Sequence, residues 1–187
     1  MNFGGGKAGM NPNKDIYITP DEYEKLQETF NYKTEYDDGK IIMHSDTSDY
    51  HNEIVGNIAA YLKIYLKGSN CKVRIEQIEV IFDESHKYKP DVFVVCEESS
   101  MKGQSYTSVP KIIFEVISKS TASHDRITKL DIYQKHGVTE YNMVEQNGNI
   151  IQCTLKDDYY SINTYHKGDV YKSFVFPQLE IDLEDIF

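Results

Sequence analysis

The sequence predicts a mixed α/β (α+β) fold, and three observations support this prediction. The segments follow the order helix, strands, helix, strands, which is typical of a sheet flanked by helices. Two continuous apolar runs, Asp91–Cys96 and Lys111–Ile117, are typical of strands at the centre of a sheet. The chain has 187 residues, of which 40% are hydrophobic, and this is enough for one sizeable core. We therefore expect a single domain over residues 14–187.

The composition narrows the classes of function. The net charge of −10 argues against broad, sequence-independent binding of nucleic acid, although bound cations would reverse the local field of a small metal-dependent nuclease. The chain has no 18-residue apolar run and no signal-peptide pattern, so no membrane association is expected. Cys71, Cys96 and Cys153 are far apart and odd in number, which favours a reducing compartment. A cytoplasmic location is the expectation.

The N-terminal segment combines a tail and a short helix. Residues 1–13 contain three consecutive glycines and little that could pack, so a disordered tail is expected. Thr19 suits the N-cap of a helix and Pro20 its first position, and the helix should end near Gln27 or Glu28.

A hairpin and a long helix follow. Asp38-Gly39 is a turn signal between Tyr32–Asp37 and Lys40–His44. Residues 53–67 carry an apolar stripe at helical spacing and predict the longest helix. Gly56 costs that helix about 1 kcal/mol relative to Ala, and a close approach by neighbouring backbone is a plausible reason for it.

The segments on either side of the two apolar runs are also periodic. Lys72–Asp83 is strand-like, but its alternation slips at Glu76-Gln77, which indicates a bulge. Ser123–His136 predicts a helix whose buried edge is Ile127, Leu130 and Tyr133.

The C-terminal part reads as strands. Asn147-Gly148 is a tight turn between Glu140–Val144 and Ile150–Leu155. Tyr159–Tyr165 and Val170–Phe174 suggest a further hairpin, and an alternating last segment follows over residues 179–183.

Two carboxylates, Asp91 and Glu115, lie within the apolar runs, where an unpaired charge is costly. If the runs are antiparallel neighbours with Cys96 opposite Pro110, Asp91 lies opposite Glu115, with Cβ atoms about 4.5–5.5 Å apart. One of the two would then be driven to protonate unless a divalent cation lay between them. Oxygen-only ligands select Mg²⁺, Mn²⁺ or Ca²⁺ over zinc.

Such a site suits hydrolysis of a phosphodiester, because the ion activates water and stabilises charge on phosphate oxygens. A lysine near the developing charge would assist, and Lys119 and Lys129 are the candidates. The structural alternative is that Asp91 caps a turn after Pro90 and that Glu115 pairs with a lysine.

These residues belong to an ordered set of segments, spanning about Thr19 to Phe187, that resembles a known family. The segments include Thr19-Pro20-Asp21-Glu22-Tyr23, Tyr36-Asp37-Asp38-Gly39-Lys40-Ile41-Ile42, His51, Lys89-Pro90-Asp91, Glu115-Val116-Ile117-Ser118, and Asp125 with Lys129 and Tyr133. Together they resemble the Uma2 (Uma-two) restriction endonucleases, within the PD-(D/E)XK nuclease superfamily.

The resemblance implies a restriction-endonuclease-like mixed central sheet flanked by helices, with additional β-hairpins. It further implies an endonuclease that uses Mg²⁺, or Mn²⁺ in its place, on DNA, commonly as a homodimer. The metal ligands would be Asp91 and Glu115, with the Val116 carbonyl as a third. The superfamily pattern places a lysine two residues after the glutamate, where this chain has Ile117. The resemblance implies that Lys129 serves instead.

The resemblance also asks for an early acidic residue, for which Glu35 and Glu53 are the candidates and Glu35 the better match. His51 at the start of the long helix is either a ligand or part of the helix cap. The departure at Ile117 and the net charge leave a second function open, a catalytically silent module that binds protein or nucleic acid.

Overall fold

A six-stranded mixed sheet lies at the centre of the molecule. The computed structural model describes residues 17–45, 47–96, 100–117 and 124–187. The strands of the central sheet are β3 (Lys72–Ile75), β6 (Val92–Val95), β9 (Ile112–Ile117), β10 (Glu140–Glu145), β11 (Asn149–Lys156) and β12 (Tyr159–Tyr165). Their spatial order is β12-β11-β10-β9-β6-β3. The β9–β10 pair is parallel, and the other pairs in the sheet are antiparallel.

A second sheet is built mainly from hairpins. Its strands are β1 (Thr34–Asp37), β2 (Lys40–Met43), β4 (Val80–Ile81), β5 (His86–Tyr88), β7 (Met101–Lys102) and β8 (Ser105–Tyr106), in the order β2-β1-β5-β4-β8-β7. A small third sheet pairs β13 (Val170–Lys172) with β14 (Glu180–Asp182).

The helices are α1 (Pro20–Gln27), α2 (Asp49–Tyr65) and α3 (Leu130–Lys135). A π-helical turn, His124–Lys129, leads into α3, and a 3-10 turn, Leu183–Asp185, lies near the C-terminus. Within the described residues, no helix is both long enough and apolar enough to cross a membrane.

The central sheet has a hydrophobic cluster on each face. On one face α2 packs through Ile54, Ile58 and Leu62 against alternate residues of β6 and β9, together with the C-terminal segment. On the other face, the second sheet and α3 pack against the remaining residues of these strands. The predicted mixed sheet with flanking helices and additional hairpins is therefore confirmed.

Several local predictions hold. Thr19 caps α1 with a full capping box, in which its side chain and Glu22 bond each other's backbone N–H. The Asp38-Gly39 hairpin forms, with both turn residues at positive φ, and β10 and β11 pair as expected. The assumed register of the two apolar strands is also observed, because Val92 lies opposite Phe114 and Val94 opposite Ile112.

Two predictions about strands and one about the buried side of a helix are wrong. Lys72–Asp83 is not one bulged strand, because the chain turns at Glu76 and β3 and β4 join different sheets. The strand Val170–Lys172 pairs with β14 and not with β12. In the segment before α3, Ile127 is 62% exposed, and Asp125 and Lys129 are buried in its place.

The cysteines are not arranged as expected for a reducing compartment. Because Lys72 pairs with Val95, Cys71 and Cys96 face each other at the end of the β3–β6 ladder, and they form a disulfide. Cys153 is a free, buried thiol. The cysteines therefore no longer support a reducing compartment. The proposed tail, residues 1–13, lies outside the described residues.

A close approach by neighbouring backbone, the expected reason for Gly56, is not observed among the described residues. Gly56 is exposed, and a Cβ atom built on it would meet no described heavy atom within 4 Å. The glycine therefore lowers the stability of α2 without a visible packing reason.

Candidate functional site

The two carboxylates of the apolar strands lie on the same face of the central sheet. Asp91 directly precedes β6, Glu115 lies in β9, and their exposed fractions are 5% and 3%. The N–H of Val116 donates to Asp91 Oδ2 at 2.9 Å, and the N–H of Asp91 faces Glu115 Oε2 at 3.4 Å. These contacts across the β6–β9 pair fix both side chains next to each other.

Two buried lysines contact these carboxylates. Lys33, just before β1, donates to Asp91 Oδ1 at 2.6 Å. Lys129, at the end of the π-helical turn, is fully buried and donates to Glu115 Oε1 at 2.8 Å. Tyr133, one turn later in α3, also donates to Glu115 Oε1, at 3.0 Å. The second sheet and α3 thus each contribute a cation to the strands between them.

Glu35 joins the cluster from β1. It is fully buried, accepts from Lys129 at 3.0 Å and from the backbone N–H of Lys89 at 2.7 Å, and lies 3.0 Å from His44 Nε2. Glu53, the other early acid considered, is exposed on α2. Of the two candidates, the structure brings only Glu35 to the site.

The described part of the cluster has an excess of negative charge. Four buried carboxylates, those of Asp91, Glu115, Glu35 and Asp125, share two ammonium groups, those of Lys33 and Lys129. The structural alternative expected Glu115 to pair with a lysine, and the Glu115–Lys129 pair is observed, while Asp91 pairs with Lys33. These two ammonium groups balance only two of the four charges. A buried group of like charges needs a further cation or a proton.

Burial and neighbouring charge separate the pKa values of the two central carboxylates. Burial raises the pKa of Asp91, but the charges of Lys33 and His51 outweigh it and hold this pKa below its usual value. Burial and the neighbouring acids raise the pKa of Glu115 to about 8, although Lys129 opposes that shift. Of the two central carboxylates, Glu115 is therefore the one that takes up a proton more readily, and this proton relieves the repulsion.

Lys129 remains a cation in this environment. Burial disfavours its charge, but the carboxylates of Glu115 and Glu35 outweigh burial and hold the pKa of Lys129 well above its usual value. The π-helical turn places Asp125 Oδ1 3.2 Å from Lys129 Nζ, on the same buried side. Such turns are frequent at functional sites, because they shift a side chain out of the ordinary helical phase.

A second set of ligand atoms surrounds Asp91. His51 Nε2 lies 3.7 Å from Asp91 Oδ2 and 3.6 Å from Glu76 Oε1. Neither His51 Nε2 nor Glu76 Oε1 has a hydrogen-bond partner among the described residues, although both atoms are buried. Ser48 caps α2 and accepts from the N–H of His51, which fixes the first turn of this helix beside Asp91.

These atoms fit a metal ion. The ligand atoms of His51, Glu76 and Asp91 all lie within 4.8 Å of one another. Glu76 has a φ of 56°, an unusual backbone conformation for a residue other than glycine. Strained residues of this kind cluster at functional sites.

The cluster opens into a cavity of about 320 Å³. Its walls include Lys33, His51, Asp91, Glu115 and Val116. Lys129 is not among the described lining residues, because it lies behind Glu115 and is 0% exposed. Among the described residues, the lysine that lines the cavity is therefore Lys33.

The structure places the other predicted residues as follows. Val116 lines the cavity, and its N–H contacts Asp91. Ile117, at the position where the superfamily has lysine, is buried in the core between the sheets. Lys119 lies outside the described residues.

The sequence alone does not indicate that Lys33 and Glu76 join the site, or that Tyr133 contacts Glu115. For Glu76 the slip in alternation is the available signal, but it predicts a bulge and not a site residue. Lys33 gave no signal, since only the pairing of the second sheet brings it to Asp91.

The fold resembles that of a solved structure. It matches the crystal structure of "a putative nuclease belonging to DUF820" from Anabaena variabilis, with a TM-score of 0.77 and 19% sequence identity, over 91% of this chain and 97% of that chain. At this identity the likeness shows a shared fold.

Comparison of sequences identifies relatives and a family. Two uncharacterized proteins of Synechocystis sp. are similar. One is 27% identical over 153 residues, covering 81% of this chain and 75% of that protein. The other is 29% identical over 133 residues, covering 69% of this chain and 75% of that protein. The family model Uma2, described as "Putative restriction endonuclease", matches residues 20–184. Because this match spans most of the chain, the protein belongs to the Uma2 family.

Proposed function

We propose that this protein is a metal-dependent endonuclease that hydrolyses phosphodiester bonds of DNA in the cavity beside Asp91 and Glu115. The observation that supports it most is the excess of buried carboxylates around an open cavity. Beside them, ligand atoms of His51 and Glu76 have no hydrogen-bond partner within the described part of the chain. A purely structural cluster would have its charges balanced and its polar atoms satisfied.

Asp91 and Glu115 would hold the ion, with Glu76, His51 and the Val116 carbonyl as further candidate ligands. The oxygen atoms of this set suit Mg²⁺, and the imidazole of His51 would make Mn²⁺ an effective substitute. A bound ion would supply Lewis acidity and lower the pKa of a bound water.

The two lysines have different parts in this proposal. Lys33 lines the cavity and would contact a phosphate oxygen or the attacking water directly. Lys129 assists from behind, because its ammonium group holds Glu115 and Glu35 in place. Glu35 thereby becomes a positioning residue that orients Lys129 and accepts the N–H of Lys89.

The charge of the chain bears on the substrate. With a net charge of −10, the protein would bind DNA weakly in the absence of a divalent ion. We further propose a homodimer, in which two cavities act on the two strands of a duplex, in line with the family resemblance.

The test is cleavage of supercoiled plasmid DNA with Mg²⁺ or Mn²⁺, and with EDTA as the metal-free control. Asp91→Asn and Glu115→Gln should abolish cleavage, and Glu53→Gln, on the exposed face of α2, should leave it unchanged. Cleavage that survives both substitutions at the cavity would contradict the proposal.

The lysines are tested in the same assay. Lys33→Met should lower the cleavage rate of a folded protein, and Lys33→Arg should restore part of it. Lys129→Met should lower both cleavage and metal affinity, because Glu115 and Glu35 lose their shared partner. Circular dichroism and thermal unfolding of each variant would establish that the fold is retained.

The second candidate function is a catalytically silent module that binds nucleic acid or protein. Two observations favour it: Ile117 occupies the usual lysine position, and Lys129 is shielded from the cavity. A wild-type protein that binds Mg²⁺ and DNA but cleaves neither linear nor supercoiled DNA would select this alternative.

A further inference from the structure

A second group of metal-binding residue types lies apart from the cavity. Asp83 follows β4, His86 begins β5, and His136 ends α3. Asp83 Oδ1 lies 2.7 Å from His86 Nδ1, and Asp83 Oδ2 lies 3.0 Å from His136 Nε2. One ligand atom from each of the three residues lies within 4.8 Å of the others.

This group differs in chemistry from the carboxylates of the cavity. Two imidazole nitrogens and one carboxylate oxygen form a ligand set that zinc and neighbouring transition metals prefer, whereas Mg²⁺ prefers oxygen alone. In a tetrahedral zinc site, ligand atoms are roughly 3.3 Å apart, given zinc bonds of about 2.0 Å. The separations of 2.7 and 3.0 Å involve different oxygens of Asp83, Oδ1 and Oδ2. The three ligand atoms lie within 4.8 Å of one another, so ligation would draw them together from at most that distance.

The surroundings support ligation. The exposed fractions of the side chains are 33% for Asp83, 14% for His86 and 18% for His136, so the group is partly sheltered but still open to a water or an entering ion. The N–H of Ser85 also donates to Asp83 Oδ1, at 2.8 Å, which fixes this carboxylate beside the two imidazoles.

A further carboxylate lies behind His86. Asp37 Oδ1 is 3.8 Å from His86 Nε2, and it accepts a hydrogen bond from the Tyr88 hydroxyl at 2.7 Å. When a metal binds Nδ1 of a histidine, the proton resides on Nε2, and a nearby carboxylate commonly orients that N–H. Asp37 would take this part after a shift of about 1 Å toward His86.

We propose that Asp83, His86 and His136 form a zinc-type transition-metal site that is independent of the cavity. The site joins two layers of the molecule, because Asp83 and His86 belong to the β4–β5 hairpin of the second sheet and His136 to the end of α3. Since α3 directly follows Lys129, a metal at this position would fix the helix into which the turn with the buried lysine leads.

The experiment is a titration of the full, tag-free chain with Zn²⁺, followed by calorimetry, and with Co²⁺ as a visible-absorption probe. An Asp91→Asn/His51→Ala background removes binding at the cavity. In this background we expect one equivalent of bound Zn²⁺ and a rise in the thermal unfolding temperature. Adding His136→Ala should weaken zinc binding by about tenfold or more and remove that rise.

His166→Ala is the matched control, because His166 lies on the exposed turn after β12 and contacts Asn149. It should leave zinc binding unchanged. Asp83→Asn preserves side-chain volume and should weaken zinc binding as His136→Ala does, which covers the case in which the histidine variant fails to fold. The absence of saturable zinc binding in the cavity-disabled background would overturn the proposal. So would zinc affinities for Asp83→Asn and His136→Ala that match that of His166→Ala.

Discussion

Two of the regions in which this protein buries carboxylates differ in how the negative charge is stabilised. Glu140 in β10 is fully buried, and no lysine or arginine contacts it within the described residues. Its oxygens instead accept hydrogen bonds from neutral donors, namely the Asn142 and Gln152 amides, the Tyr171 and Ser173 hydroxyls, and the N–H groups of Phe174 and Val175. Asp91 and Glu115 have fewer donors, are next to other acids and open into a cavity.

The difference shows which buried carboxylate is structural and which is a candidate for chemistry. Each oxygen of Glu140 has three donors, and these tie β10 to the segment around β13. Glu115 shares Lys129 with Glu35 and Asp125, so its charge is incompletely compensated. Burial of an acid is therefore weak evidence of function, and incomplete compensation beside a cavity is stronger evidence.

The largest expected effect separates the two regions by activity. Glu115→Gln should lower the cleavage rate by about 10³-fold, the scale of losing a principal electrostatic contributor to the transition state. Glu140→Gln should leave the rate of the folded fraction nearly unchanged. Single-turnover plasmid cleavage below the unfolding temperature of each variant measures both. Comparable losses of cleavage rate in the two variants would mean that Glu115 is no more important for activity than Glu140.

Stability should separate the regions in the opposite sense. Glu140→Ala removes the acceptor of several buried donors and should lower the free energy of unfolding by about 3 kcal/mol or more. Glu115→Gln imitates the protonated acid and should cost less than about 1 kcal/mol in EDTA at pH 7. Urea unfolding of both variants gives the comparison, and a larger loss for Glu115→Gln would mean that its charge is chiefly structural.

The pH dependence of metal binding gives a finer distinction. Because the pKa of Glu115 is raised to about 8, the metal-free site holds a proton that an incoming cation must displace. Affinity for Mg²⁺ should therefore rise with pH up to about 8 and then level off. Calorimetry in buffers of different ionisation enthalpy should detect about one proton released near pH 7.

The same shift has a consequence for the metal-free fold. Between a usual pKa of 4.5 and about 8, native Glu115 binds more protons than the unfolded chain does, so its contribution to stability falls as pH rises across this window. Glu115→Gln should remove both the release of a proton on metal binding and this fall in stability with pH. If wild type and Glu115→Gln release equal numbers of protons, the raised pKa is assigned to the wrong group.

The sequence was sufficient to predict the centre of the fold. The two apolar runs predicted the central strands, whereas their antiparallel register was an assumption that the structure bears out. Given that register, side-chain alternation places Asp91 on the same face as Glu115. Their meeting with Lys33 and Glu76 could not be predicted, because it depends on how the second sheet and the turn after β3 pack. Hydrophobic periodicity also gave the wrong phase before α3, since it assumes that apolar residues fill the buried side. Lys129 occupies that side because Glu115 and Glu35 require a cation there.

The smallest expected effect is that of a substitution in α2, outside both regions, which serves as a control for the carboxylate variants. Gly56 is exposed on α2, and an added Cβ would contact nothing described within 4 Å. Gly56→Ala should therefore raise the free energy of unfolding by about 1 kcal/mol, the ordinary gain in helix propensity. Metal affinity and cleavage rate should not change, because α2 reaches the site only through the first turn that carries His51. A changed cleavage rate in this stabilised variant would mean that the activity depends on the stability of α2, so the losses in the carboxylate variants could not be assigned to the site alone.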